Sequence, residues 1–321
     1  MATRNEYQPY DGAVANFKLW TSFIRNLFLT DAGWTQSSDT GQTNPTTIGA
    51  TPTTIGSCYE IYKASDSLAT ASPLYVKVEY GTLGGATHSQ GIAITAGNGS
   101  NGTGGITGAG YRWQFPGGDG LSPVGVTNFN MVGSGDSSSV RFILWRDMPA
   151  SYSGAVGYRG PAFFAIERGK DVTGSDIPDF FTAFAYGCET DYAVPGNTQN
   201  VNAITMRQQT ILQGGQPIRI EPFFWCSQTG AASAGFAGNV GADPITHFPG
   251  WHACQSKDLL CGKQNDFAEG GTYTLDHFGA NHVFFATYAS GLNKVGSINY
   301  APLGSTTYAT TADNLLLFRY E

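Results

Sequence analysis

LYVKVEY, residues 74–80, decides the fold class of this chain. Leu74, Val76, Val78 and Tyr80 fall at every second position, with Lys77 and Glu79 between them. A period of two places the apolar set on one face of an extended strand and the charged set on the other. Similar runs lie at 91–96, 139–146, 162–167, 180–186, 204–212, 218–225, 282–288 and 314–320, each bounded by Gly, Pro, Asn or Asp. So many short strands predict a mainly β chain, an antiparallel β-sandwich of which the jelly roll is one form. No repeat of 20 to 50 residues is present, which argues against a solenoid or propeller.

Upstream of these strands the periodicity changes. Ala13, Phe17, Trp20, Ile24 and Leu27 recur at spacings of three and four, Asp11 stands where an N-cap belongs, and Gly33 is placed to end the segment. This is one N-terminal amphipathic helix, with Phe23 and Phe28 widening its apolar stripe. Such a stripe needs a partner: either the helix lies across a sheet, or it docks on another subunit. Residues 35–57 are nearly all Thr, Ser, Gly, Pro, Asn, Asp and Gln and read as a polar connecting arm on the surface. The expected organisation is therefore 1–57, helix and arm, followed by 58–321, the β-sandwich domain. Two long connections, the Gly-rich 97–110 (GNGSNGTGGITGAG) and 229–248, hold too few large apolar residues for a core and are expected at the periphery.

Composition limits the function. Charged residues make up 13% of the chain, against roughly a quarter in an ordinary soluble domain, so the surface is polar but weakly charged. The net charge is −7 and the basic residues are scattered singly, which excludes phosphate-neutralising recognition of nucleic acid. Unbroken apolar stretches such as 315–318 are far shorter than the ~20 residues of a membrane-spanning helix. The opening MATRNEYQPYDG has no apolar centre and does not read as a secretory signal. Five widely spaced cysteines, an odd number, are expected as buried thiols rather than a disulfide framework.

Candidate chemistry is sparse. The Gly-rich 97–110 lacks the Gly-Lys-Ser/Thr ending of a phosphate-cradling loop and reads as a long hairpin connection. His247, His252, Cys254 and Cys261 form the most metal-like cluster, but their spacing is irregular for structural zinc. Buried cysteines beside polar loop histidines are the default there; zinc and a local Cys254–Cys261 disulfide are the alternatives. Hence no metal or cofactor is expected. Asp276 and His277, adjacent in a strand, should point to opposite faces and so make no acid–base pair. No nucleophile elbow or cysteine–histidine protease signature occurs, and the chain is expected not to be an enzyme. Aromatics beside Gly/Ser/Thr loops, notably Tyr158, Trp251 and Tyr273, are suited to stacking on sugar rings; capping the sandwich ends is the competing role.

Several segments together resemble a family of bacteriophage virion proteins found among tail and structural genes. They are the Gly33-Trp34 pair after the helix, QSSDTGQTN (36–44), CYEIYKASDSL (58–68), PLYVKVEYG (73–81), the Gly-rich loop after Ala96, PAFFAIERGKD (161–171) and NLLLFRYE (314–321). The likeness covers most of the chain and weakens over 231–271. It implies a non-enzymatic structural protein of the virion, assembled in the host cytoplasm, working in the tail tip, baseplate or fibre-attachment region. Its partners would be copies of itself and other virion proteins. No catalytic motif comes with the resemblance. Two other readings are a capsid decoration (cement) protein and a host-glycan-binding adhesin. The expected assembly contacts are the helix face of Trp20 and Phe23, the arm at Asp39 and Asn44, and the Gly-rich loop at Asn98.

Overall fold

The computed structural model describes residues 2–10, 13–82, 90–109, 112–116, 127–146, 162–171, 173–186, 189–190, 207–212, 218–220, 242–247, 254–263, 267–268, 270–286 and 314–321. Strand β1 (Ala2–Tyr10) leads to helix α1 (Val14–Asn26), which runs on through one π-helical turn, Leu27–Asp31. Then follow β2 (Thr35–Gln36), β3 (Cys58–Lys63), β4 (Tyr75–Thr82), β5 (Gln90–Gly97), β6 (Gly99–Ser100), β7 (Ile106–Thr107) and β8 (Arg112–Pro116). The middle of the chain supplies β9 (Thr127–Asp136), β10 (Ser139–Arg146), β11 (Ala162–Lys170), β12 (Asp176–Tyr186), β13 (Glu189–Thr190), β14 (Arg207–Leu212) and β15 (Ile218–Ile220). The last strands are β16 (Ala242–His247), β17 (Cys254–Lys263), β18 (Thr272–His277), β19 (Ala280–Ala286) and β20 (Asn314–Arg319).

All pairings among the described strands are antiparallel, and the path through the largest sheet ends at β1 and β18 rather than closing into a barrel. The strands form layers. A first sheet runs β13-β8-β5-β4-β3-β2. A second runs β1-β9-β10-β11-β12-β14-β15. A third group, β16-β17-β20-β19-β18, joins the second through the single bridge Lys170↔Gln255. Side-chain alternation shows what this achieves. On the second sheet Met131, Phe142, Leu144, Phe164, Ile166, Phe181 and Ala183 share one core with the helix and first sheet. Their neighbours Val132, Ile143, Phe163, Ala165 and Phe184 form another core with Leu259, Phe285 and Phe318 of the third group. Strands buried on both faces need no polar alternation, hence the continuous apolar stretches FILW within SVRFILWR and AFFAI within AFFAIERGK.

The expected sandwich is therefore present with a third layer added, and residues 1–57 are part of it. Strand β1 extends the second sheet, and α1 fills the first core with Phe17, Trp20, Phe23, Ile24, Leu27 and Phe28. Each such side chain, fully buried, contributes about 1.5–3 kcal/mol. Phe28 stacks on Tyr62 at 4.5 Å, and Trp113 meets Phe164 edge-on at 6.1 Å across the two sheets. Ala13 occupies the N-cap without a side-chain bond, while Asp11 lies outside the described residues. At the other end Gly33, with φ +69°, lets the chain turn so that Trp34 N–H reaches Phe28 O at 2.9 Å. The π turn presses Leu27 and Ala32 onto β9 at Gly133 and Gly135, where an added Cβ would come within 2.8 and 2.6 Å of them. Among the described residues no helix is long and apolar enough to cross a membrane.

Candidate assembly surface

The polar arm does not hang free. Beyond β2 it runs along β3: Ser37 N–H donates to Ile61 O at 2.8 Å, Thr43 N–H donates to Tyr59 O at 2.9 Å, and Gln42 Oε1 accepts the Ile61 N–H at 2.7 Å. An open strand edge is a hazard for uncontrolled pairing, and the arm covers this one. The Gly-rich connection folds as the small β6–β7 hairpin and returns onto the arm, with Thr40 N–H donating to Gly102 O at 3.0 Å.

Asp39 is the staple between the two. Its Oδ2 accepts from Ser37 and Ser100 hydroxyls, each at 2.7 Å, and its Oδ1 accepts the Gly104 N–H at 3.2 Å. Burial alone would raise this carboxyl, but the donors from Ser37, Ser100, Gly104 and Gly102 hold it below the ordinary aspartate range. Tyr59 forms the floor, its hydroxyl donating to Thr40 O at 2.9 Å and its ring 4.3 Å from Lys77 Nζ. Gly104, at φ +91°, is required there, because a Cβ would fall 2.3 Å from the Tyr59 hydroxyl. Lys77 and Arg112, on the strands alongside, both pair with Glu79.

Asn44 lies on the arm and Asn98 on the hairpin segment. Asn44 Oδ1 accepts the Thr46 N–H at 2.9 Å and so closes a turn of the arm; Asn98 N–H donates to Thr107 O at 3.1 Å within the hairpin. The segments 35–57 and 97–110 contain one charged side chain, Asp39, and it is buried. Among the residues they expose are Ser38, Thr40, Thr47, Asn101, Thr103 and Thr107. By contrast, Trp20 and Phe23, expected on a contact face, lie in the first core of their own chain; only Leu19 on that helix is a large exposed hydrophobic residue.

No protein-family model, curated protein or solved structure matches this chain.

Among the described residues, a dense set of ionisable groups lies elsewhere, between the second and third layers. Residues 256–258 of β17 have no ladder partner among the described residues, and the register with β16 jumps from Pro244↔Leu260 to Thr246↔Gln255. Glu167 of β11 takes their place: its carboxylate accepts the Lys257 N–H at 3.1 Å and the Asp258 N–H at 3.0 Å. Arg141 pairs with Asp258, and Lys257 Nζ reaches Asp136 at 2.8 Å. Burial, then the Asp258 charge, push the Glu167 carboxyl up to about 8. Burial would raise Asp136, yet Lys257 and Arg141 hold it well below the aspartate range. His277 Nε2 lies 3.0 Å from Ser256 O, and burial lowers its pKa, while Asp276 is exposed on the opposite face, as the strand alternation requires. The cluster joins the second and third layers.

The remaining expectations fall as follows. Cys58 is a free, buried thiol pushed up to about 12 by burial and by Glu60. The backbone pairs His247 with Cys254 and Asp243 with Cys261, so the two cysteines take different cross-strand partners; His252 lies outside the described residues. Tyr158 and Trp251 also lie outside them. Tyr273 packs edge-on against Phe267 at 4.9 Å and its hydroxyl accepts the Ala268 N–H at 2.5 Å, which ties it to its own loop. Sequence reading missed Glu167, Arg141 and Asp258. A Glu-Arg pair closing the apolar run AFFAI, and a Lys-Asp pair just before Leu259-Leu260, were the available signals.

Proposed function

We propose that this chain is a non-enzymatic structural subunit of a bacteriophage virion, placed in the tail tip, baseplate or fibre-attachment region. It would act through contacts with copies of itself and other virion proteins. The resemblance described above motivates the reading, and the Asp39-stapled patch is the observation that carries it. Loops ordered by their own hydrogen bonds lose conformational entropy on folding, so a partner need not supply that cost on binding. A surface of hydroxyls and amides is also cheaper to desolvate than a charged one. For a chain of net charge −7, a neutral patch is where identical subunits meet with least repulsion. Each contact is small, and repetition by symmetry multiplies it.

Immunogold labelling of purified phage particles tests this proposal. Label at the tail end is the expected result. Label over the head would replace this placement by the capsid decoration reading, and particles free of the polypeptide would dispose of both.

A further inference from the structure

The Gly-rich hairpin carries one dipeptide twice, Asn98-Gly99 and Asn101-Gly102, and the fold treats the two copies differently. In an Asn-Gly pair the main-chain nitrogen of glycine can approach the preceding side-chain amide with no side chain of its own in the way. Gly99 is held in the β6–β7 ladder opposite Thr107, and the Asn98 amide lies over Gly108, where a Cβ would fall 2.2 Å from Asn98 Oδ1. Asn101 and Gly102 follow the end of β6 and are both exposed. Gly102 has φ +81°, and a Cβ on it would meet nothing within 4 Å. Its N–H donates to no acceptor among the described residues.

The Asn101 side chain is held with its carbonyl activated. Oδ1 accepts three bonds, from the Thr103 N–H at 2.9 Å, the Thr103 hydroxyl at 3.1 Å and the Gly105 N–H at 2.8 Å. Donors gathered on a carbonyl oxygen draw electron density from its carbon and stabilise the oxyanion that forms when a nucleophile adds there. The Asn101 N–H donates to Gly105 O at 2.9 Å and closes the turn. Gly105 leaves room for the amide, since a Cβ on it would fall 2.5 Å from Asn101 Nδ2. Nδ2 has no acceptor among the described residues, so no bond retains the nitrogen that must leave.

From this arrangement we infer that Asn101 is a site of spontaneous deamidation in the folded chain, and that Asn98 is not. Gly102 N gives its proton to solvent base and attacks Asn101 Cγ. The new N–Cγ bond closes a succinimide ring, the Cγ–Nδ2 bond breaks, and the nitrogen leaves as ammonia after taking up a proton from water. Water then opens the ring at either carbonyl, giving aspartate or isoaspartate at position 101. Both products add a negative charge to a patch whose other charged side chain, Asp39, is buried. Isoaspartate also lengthens the main chain beside Gly102, whose carbonyl accepts the Thr40 N–H. On the assembly reading given above, a converted subunit meets its copies against added repulsion, so conversion withdraws aged chains from assembly.

The folded native chain and the same chain in urea are held at mildly alkaline pH. Peptides covering both asparagines are followed by mass spectrometry with fragmentation that separates position 98 from 101 and aspartate from isoaspartate. In urea the two positions convert at similar rates, since each precedes glycine. In the folded chain Asn101 is expected to convert at least about tenfold faster than Asn98. Equal rates in the folded chain, faster conversion of Asn98, or retention of both amides while the unfolded chain loses them would overturn the inference. The measurement uses the isolated chain, so its outcome is separate from that of labelling phage particles.

Discussion

Asp39 and Glu167 are both acidic side chains withdrawn from water, and their surroundings move them in opposite directions. Asp39 sits among donors only: two serine hydroxyls and the amides of a glycine turn. Glu167 also receives backbone donors, but it shares its enclosure with Asp258, and it is more deeply buried. The first arrangement favours the charged form and fixes two surface segments to each other. The second strains the charged form and serves to fasten one layer of the core to another. Burial of an acid does not by itself say whether it stabilises by its charge; the neighbouring groups decide.

Four substitutions sharpen this contrast, beginning with the largest effect. Arg141→Met removes the close cation from buried Asp258 and leaves it only the longer 3.7 Å contact with Arg319, a loss expected at about 3–5 kcal/mol in urea unfolding. Glu167→Gln addresses the sign of the pH dependence. Because the folded-state value is raised, the contribution of Glu167 is full below the ordinary glutamate range and is lost as pH rises through about 8. Between the ordinary glutamate range and about 8 the native chain should therefore lose stability at up to about 1.4 kcal/mol per pH unit and level off above that, and the Gln variant should give a flatter curve.

For Asp39→Asn the dependence is reversed. A lowered carboxyl stabilises above the ordinary aspartate range and ceases to do so as pH falls through its folded-state value. A cost of about 1–2 kcal/mol is expected at neutral pH, with faster amide exchange over 37–43 and 100–105 and none over β17. Smallest is Gly104→Ala, about 1 kcal/mol, from the positive φ and the close Tyr59 hydroxyl. Its exchange effects should be confined to the same patch. Equal protection changes at β17 in either of the last two variants would erase the distinction between patch and seam.

The sequence was most readable where one face of a strand is wet. Residues 74–80 alternate cleanly, and the observed strand is Tyr75–Thr82 with Leu74, Val76, Val78 and Tyr80 buried. The run at 139–146 also matches its strand to the residue, although that strand is buried on both faces. Strand β1 was missed because ATRNEYQPY is polar and contains proline, as an edge strand tolerates. Strand β9, TNFNMVGSGD, was not among the expected strands; its glycines are there for the close approach of Leu27 and Ala32. The third layer escaped notice because Lys257 and Asp258 look like surface residues until Glu167 and Arg141 are placed beside them. At the candidate surface, the polar arm and the Gly-rich loop were each legible. That Asp39 joins them, across 61 residues to Ser100, depends on tertiary contact alone.

The claim at the centre of this account is that the neutral Asp39-stapled patch is where the subunit meets its neighbours. Its most direct test is the copy number per purified particle, by quantitative mass spectrometry, for the native chain and for Thr40→Asp/Thr103→Asp, which places two charges on exposed positions of the patch. The account predicts a fixed copy number for the native chain and at least a tenfold lower one for the variant, with an unchanged melting curve. Equal incorporation of the two chains would contradict it.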